Sequence, residues 1–152
     1  MDSRAEALHA KATRQVDALI AFAADLDAAD LRRPCPGRER LGDGSVGTLL
    51  GHTTGNYQRV AAFLDGDAPP TEGSHRPGHH GPTEAADPEE LRERLARARV
   101  ELGRIAALDG AQLDAIPATG AFRFADGNRT VEQIIAALLT HQSHQVEALE
   151  RS

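Results

Sequence analysis

Apolar residues spaced three and four apart fill four separate stretches of this chain, and proline or glycine ends three of them. That spacing lays one apolar stripe along a helix, whereas a half-buried strand would alternate with period two. The first stretch covers residues 4 to 27, with Leu8, Ala12, Val16, Leu19, Ile20, Ala23 and Leu26 on the stripe. Pro34, Pro36 and Gly37 break it. Ser45 is placed to cap a second helix, whose buried face reads Val46, Leu49, Leu50, Thr53, Tyr57, Val60, Ala61 and Leu64, ending near Asp65 and Gly66. A third opens at Asp87, with Pro88 at its first position and Glu89 and Glu90 in its first turn, as the fixed φ of proline and the helix dipole favour. Its inward residues are Leu91, Leu95, Ala98, Leu102, Ile105 and Ala106, and it stops near Asp109 and Gly110. The fourth starts at Thr130 with Gln133 completing a capping box, and its apolar positions are Val131, Ile134, Ile135, Leu138, Val146 and Leu149.

Two long connections separate these helices. Residues 67 to 83 hold four prolines and three glycines and read as a loop. Within residues 109 to 129, "GAFRFADGN" alternates apolar and polar residues beside a turn signal, which predicts a short extended segment or hairpin. The apolar content is mostly Ala, Leu, Val and Ile, with four Phe, one Tyr and no Trp, a composition that favours helices over sheets. The expected fold is all-α: one four-helix bundle domain over residues 1–152. At this length the chain buries roughly two thirds of its unfolded surface, so it needs neither disulfide nor metal merely to fold. No internal repeat or coiled-coil heptad seam is present.

The net charge of −6 argues against nucleic acid as the main partner, because phosphate binding wants a basic face. The single Cys35 cannot form an internal disulfide, which suits a reducing compartment. The sequence MDSRAEALHAKATRQ carries charges where a signal peptide needs an apolar core, and no apolar run approaches the ~20 residues that span a bilayer. A soluble cytoplasmic protein is expected, with no membrane partner.

Chemistry is concentrated in histidine. "LLTHQSHQVEALE" puts His141 and His144 about one helical turn apart, close enough to grip one ion. The row 134, 138, 141, 145 lies along the apolar stripe, so His141 and Gln145 take inward-facing turns. His52 sits at the edge of the buried face of the second helix, and nothing in the spacing proves that it faces the fourth. The plainer reading stays open: each imidazole is a partly buried polar residue with its own hydrogen bond, and histidine near a helix C-terminus also suits the dipole. Cys35 reads as a small buried thiol, and His75, His79 and His80 as residues of a solvated loop that could reach over an open site. No paired carboxylates, no Ser-His-Asp set and no phosphate-cradling glycine loop argue for another reaction.

"PCPGRERLGDGSVGTLLGHTTGNYQRVAAFL" resembles the first signature of the DinB/YfiT-like superfamily, which includes the mycothiol-dependent maleylpyruvate isomerase type. Pro34-Cys35-Pro36-Gly37, Ser45-Val46 and His52 carry the likeness, and "TVEQIIAALLTHQSHQVEAL" resembles the second signature. The resemblance implies an up-down-down-up four-helix bundle. It also implies a divalent metal, zinc or nickel, held by one residue of the second helix and two of the fourth. Carried over, His52 and His141 match the first two ligands. The third position is Gln145, whose neutral, hard amide oxygen is a poor ligand for zinc or nickel beside imidazole. Either His144 substitutes from the adjacent position by a small helix rotation, giving His52, His141 and His144, or the site has lost its metal. A Trp common before the second helix is missing, and "RERLGDG" is inserted there. An open metal position would activate a bound thiol or water, so the expected activity is thiol-dependent transfer or hydrolysis on a small-molecule substrate, with a low-molecular-weight thiol as co-substrate. The alternative is a metal-free bundle that binds a small molecule or a partner protein without catalysis. A homodimer is expected from the resemblance and from Ala-rich helices that allow close approach.

Overall fold

The computed structural model describes residues 2–38, 40–66 and 87–152. They are mostly helical, and the described residues contain no strand, only an isolated bridge between Pro34 and Ser45. Four helices are long: α1 (Ser3–Ala23), α3 (Val46–Leu64), α4 (Pro88–Glu101) and α7 (Val131–Glu150). Three are short: α2 (Ala28–Arg32), α5 (Gly103–Ala106) and α6 (Gly110–Asp114). Among the long helices, α1 packs on α4 and α7, and α3 packs on the same two, which closes them into a ring. One core fills the ring, with Leu19, Leu49, Leu50, Leu95, Ile134 and Leu138 wholly buried. No described helix is long and apolar enough to cross a membrane.

The helix starts lie where the capping residues put them. Ser45 accepts from Thr48 N, and Asp43 extends the cap by accepting from Ser45 N at 2.9 Å and from the Thr48 hydroxyl at 2.6 Å. Asp87 caps α4 with Pro88 in its first turn, and Thr130 with Gln133 forms the capping box of α7.

The structure corrects three expectations. The first helix ends at Ala23, not 27, because Asp27 and Asp30 form a capping box of their own and start α2. The third helix ends at Glu101, and α5 follows as a separate turn. Beyond it, a further capping box, Asp109 with Gln112, starts α6 inside the second long connection. "GAFRFADGN" is neither strand nor hairpin: Gly120, Phe124 and Gly127 all have positive φ, which folds the segment back on itself, and Gly120 N donates to Ala125 O. Its alternation reflects separate anchors. Phe122 is buried and stacks on Phe63 of α3, with centroids 4.8 Å apart, while Arg123 stays exposed. The loop expected over 67–83 lies outside the described residues.

Candidate functional site

Between α3 and α7 the core turns polar. Gln142 is fully buried; its Nε2 donates to Thr53 O at 2.7 Å and its Oε1 accepts from Asn56 Nδ2 at 2.9 Å. Arg59 donates to Asn56 Oδ1 at 2.7 Å, carrying the chain of bonds outward. Deeper in, the Tyr57 hydroxyl donates to Gln15 Oε1, and Gln15 Nε2 donates to Leu139 O, both at 2.8 Å. Burial pushes the Tyr57 hydroxyl well above the usual phenol range, so it stays protonated. Thr53 Oγ1 is buried with no hydrogen-bond partner among the described residues.

A second row of side chains runs beside this seam, nearer the surface. It begins in the segment between α2 and α3, which closes on itself: Cys35 N donates to Gly44 O at 2.8 Å, and Val46 N donates to Arg33 O at 2.8 Å. At its head, Arg38 N donates to Cys35 O, with Pro36 and Gly37 between and Gly37 at φ +85°. That is the geometry of a type II turn, where proline suits the first central position and glycine the second. Cys35 is thereby buried, its Sγ 3.8 Å from Ala148 O on α7. The turn projects Arg38 towards α7, where its Nε donates to Gln145 Oε1 at 2.7 Å. Gln145 Nε2 lies 3.4 Å from His141 Nε2. The His141 ring faces Phe124, centroids 6.3 Å apart, and the Arg123 guanidinium sits over the Phe124 ring at 5.1 Å. Partial burial holds His141 below the usual imidazole range, helped by the charges of Arg123, His144 and Arg38, so the ring is neutral at pH 7. Phe124 is the one described non-glycine residue at positive φ, +72°, a conformation that costs a bulky side chain energy and marks a place where position has been favoured over ease.

The predicted ligands are distributed as follows. His141 and Gln145 face inward together, half-buried and buried respectively. His52 is half-buried on α3, one turn before Asn56. His144 is exposed and lines an open cleft of ≈ 430 Å³ with Arg38, Glu147 and Arg151. No three described His, Cys, Asp or Glu side chains stand together as a metal cage. His75, His79 and His80 lie outside the described residues. Sequence reasoning missed Gln142, Arg38, Arg123 and Phe124. Gln142 could have been found, since it lies four residues after the buried Leu138, while the others are placed by turns that periodicity does not encode.

A family model described as the DinB superfamily matches residues 13–149. The chain belongs to the DinB superfamily. No curated protein and no solved structure matches it. The donor set present does not match the metal that the resemblance implies. The amide oxygen at the position that the resemblance gives to the third ligand accepts from a guanidinium, whose charge disfavours a second cation beside it. Two imidazoles and an amide spent on arginine do not fit a three-ligand zinc or nickel centre.

Proposed function

We propose that this DinB-superfamily protein binds a small molecule at the Arg38–Gln145–His141 row without a resident metal. The observation that carries the reading is the 2.7 Å bond from Arg38 Nε to Gln145 Oε1, which puts a fixed positive charge where the family pattern calls for a metal donor. The neutral imidazole of His141 and the ring of Phe124 supply a polar and an apolar wall beside it. Elemental analysis of tag-free protein, after incubation with excess zinc or nickel and buffer exchange, tests this. Less than about 0.1 equivalent of bound metal is expected, because the deprotonated ligand set that holds a structural or catalytic ion is incomplete. Gln145→His, which supplies the missing imidazole and releases Arg38, is expected to gain metal. A full equivalent in the native protein, lost in His141→Ala, overturns the reading.

A second reading retains the metal on His52, His141 and His144, with thiol S-transfer or hydrolysis as its activity. It is favoured by one observation: burial keeps His141 neutral, as a ligand must be. It requires the exposed His144 to turn inward, and the same metal analysis decides between the two. The up-down-down-up order of the four long helices, residence in the cytoplasm and a homodimeric state are part of the proposal. The ring in which α1 and α3 each pack on α4 and α7 supports the first of these.

A further inference from the structure

Three turns among the described residues place a positive φ at the third of their four residues. Turn 35–38 does so at Gly37 (φ +85°), turn 118–121 at Gly120 (φ +81°) and turn 122–125 at Phe124 (φ +72°). Each is closed by a bond from its fourth amide to its first carbonyl. This is the type II arrangement, in which a β-carbon on the third residue crowds the backbone and glycine is preferred. Two of the turns carry glycine there. The third carries phenylalanine, in the same segment as Gly120.

What holds Phe124 in this conformation is its ring. The ring packs against His141, centroids 6.3 Å apart, and lies under the Arg123 guanidinium at 5.1 Å, while the residue stays half-buried. The two ends of the turn are held independently of that contact. Phe122 and Ala125 are buried in the core, and Phe122 stacks on Phe63. Gly120 N donates to Ala125 O, and a Cβ on Gly127 would stand 2.7 Å from Thr119 Oγ1, so the segment closes on itself.

A type II turn becomes a type I turn when the peptide between its second and third residues rotates. The closing hydrogen bond is common to both forms, and in type I the third residue takes a φ of about −90°, which suits any side chain. Here that peptide joins Arg123 to Phe124, and the anchors at Phe122 and Ala125 need not move. The rotation redirects the Cα–Cβ bond of Phe124 and draws its ring from its place against His141. One state keeps the ring contacts and bears the strain; the other gives up the contacts and relieves it.

We infer that turn 122–125 is a gate on the Arg38–Gln145–His141 row: its type II form covers His141 with the Phe124 ring, and its type I form uncovers the imidazole and admits a ligand. The gate regulates the site proposed above and rests on that reading.

The test uses the full chain in the presence of chelator, with NMR relaxation dispersion of the backbone amides as the first readout. The native protein is expected to show exchange at Arg123 and Phe124 and none at Leu138, in the core of α7. Phe124→Gly removes the strain and is expected to quench the exchange, whereas a loop that is merely mobile becomes more so with glycine. The second readout is modification of histidine by diethyl pyrocarbonate at neutral pH, mapped by peptide mass spectrometry, with exposed His144 as internal reference. A minor open state holds about 10% of molecules or fewer, so loss of the ring in Phe124→Gly is expected to raise the His141 rate relative to His144 at least about tenfold. A melting curve verifies that the variant is folded. No exchange at Arg123 and Phe124 in the native protein, exchange that grows in Phe124→Gly, or a His141 rate within about twofold of native overturns the gate. None of these measurements uses metal or substrate. A full equivalent of metal in the analysis above therefore overturns the binding reading while leaving the flip, and a turn without exchange overturns the gate alone.

Discussion

The buried bridge between α3 and α7 makes a quantitative prediction. Replacing Gln142 with leucine keeps nearly the same volume in a fully buried site but removes two hydrogen bonds. Thr53 O loses only its second partner, since the helix backbone still uses it. Asn56 Nδ2 is left buried with no acceptor in place of Gln142 Oε1. A stranded buried donor costs about 1–3 kcal/mol, and the extra apolar surface of leucine offsets part of it, so a net loss of about 2 kcal/mol is expected. For a domain of this size that lowers Tm by roughly 4–8 °C. Asn56→Leu strands Gln142 Oε1 and removes the oxygen that Arg59 bonds at Asn56, and costs a similar amount. The double variant removes both partners at once, and replacing both ends of a buried bond by apolar groups is far cheaper than breaking it from one side. The cycle should therefore show a coupling of at least about 1 kcal/mol. Urea unfolding followed by circular dichroism gives all four values, provided the slope against denaturant is unchanged. If the two single losses add within about 0.5 kcal/mol in the double variant, the side chains do not bridge the helices and the polar seam is wrongly drawn.

Two further outcomes follow from local geometry. The hydrogen bonds from Ser45 and Thr48 hold the Asp43 carboxyl below the usual carboxylate range, so its contribution is present above the unfolded value near ~3.9 and is lost as pH falls through the lower folded value. Asp43→Ala should thus cost about 1 kcal/mol at pH 7, with the native and variant urea midpoints converging as pH falls below the usual carboxylate range; a gap of constant size down to the acid limit contradicts the assignment. At Phe124, with φ +72°, the glycine variant should be about 1 kcal/mol more stable than the alanine variant, because both lose the ring and only alanine keeps the strain; an alanine variant as stable as the glycine one removes the case for strain.

The long helices were legible because their signals are local. The apolar spacing from Val46 to Leu64 and the caps at Ser45, Asp87 and Thr130 act within one or two turns, and the structure follows them. The short helices α2 and α6 were equally local but were overlooked, since five residues carry no periodicity and only the pairs Asp27–Asp30 and Asp109–Gln112 announce them. Phe122 and Phe124 misled because alternation was read as a strand, whereas one ring is committed to Phe63 and the other to His141 by turns at positive φ. Of the site, the inward turn of His141 and Gln145 was readable from the 3.6-residue period. What Gln145 bonds was not, because Arg38 lies 107 positions away along the chain and arrives through a loop.

That loop has a further consequence. Its backbone ties, Cys35 to Gly44, Arg38 to Cys35 and Arg33 to Val46, are made by main-chain atoms and so do not depend on which side chain stands at position 38. The helices supply a rigid chassis, and the turn presents one residue to it as an interchangeable tool. Exchanging that residue changes the side chain presented to Gln145 at small expense to the core. On the binding reading proposed above, such a division of labour would let a single bundle be retuned from one class of ligand to another by a substitution outside the core, keeping its architecture while its chemistry drifts.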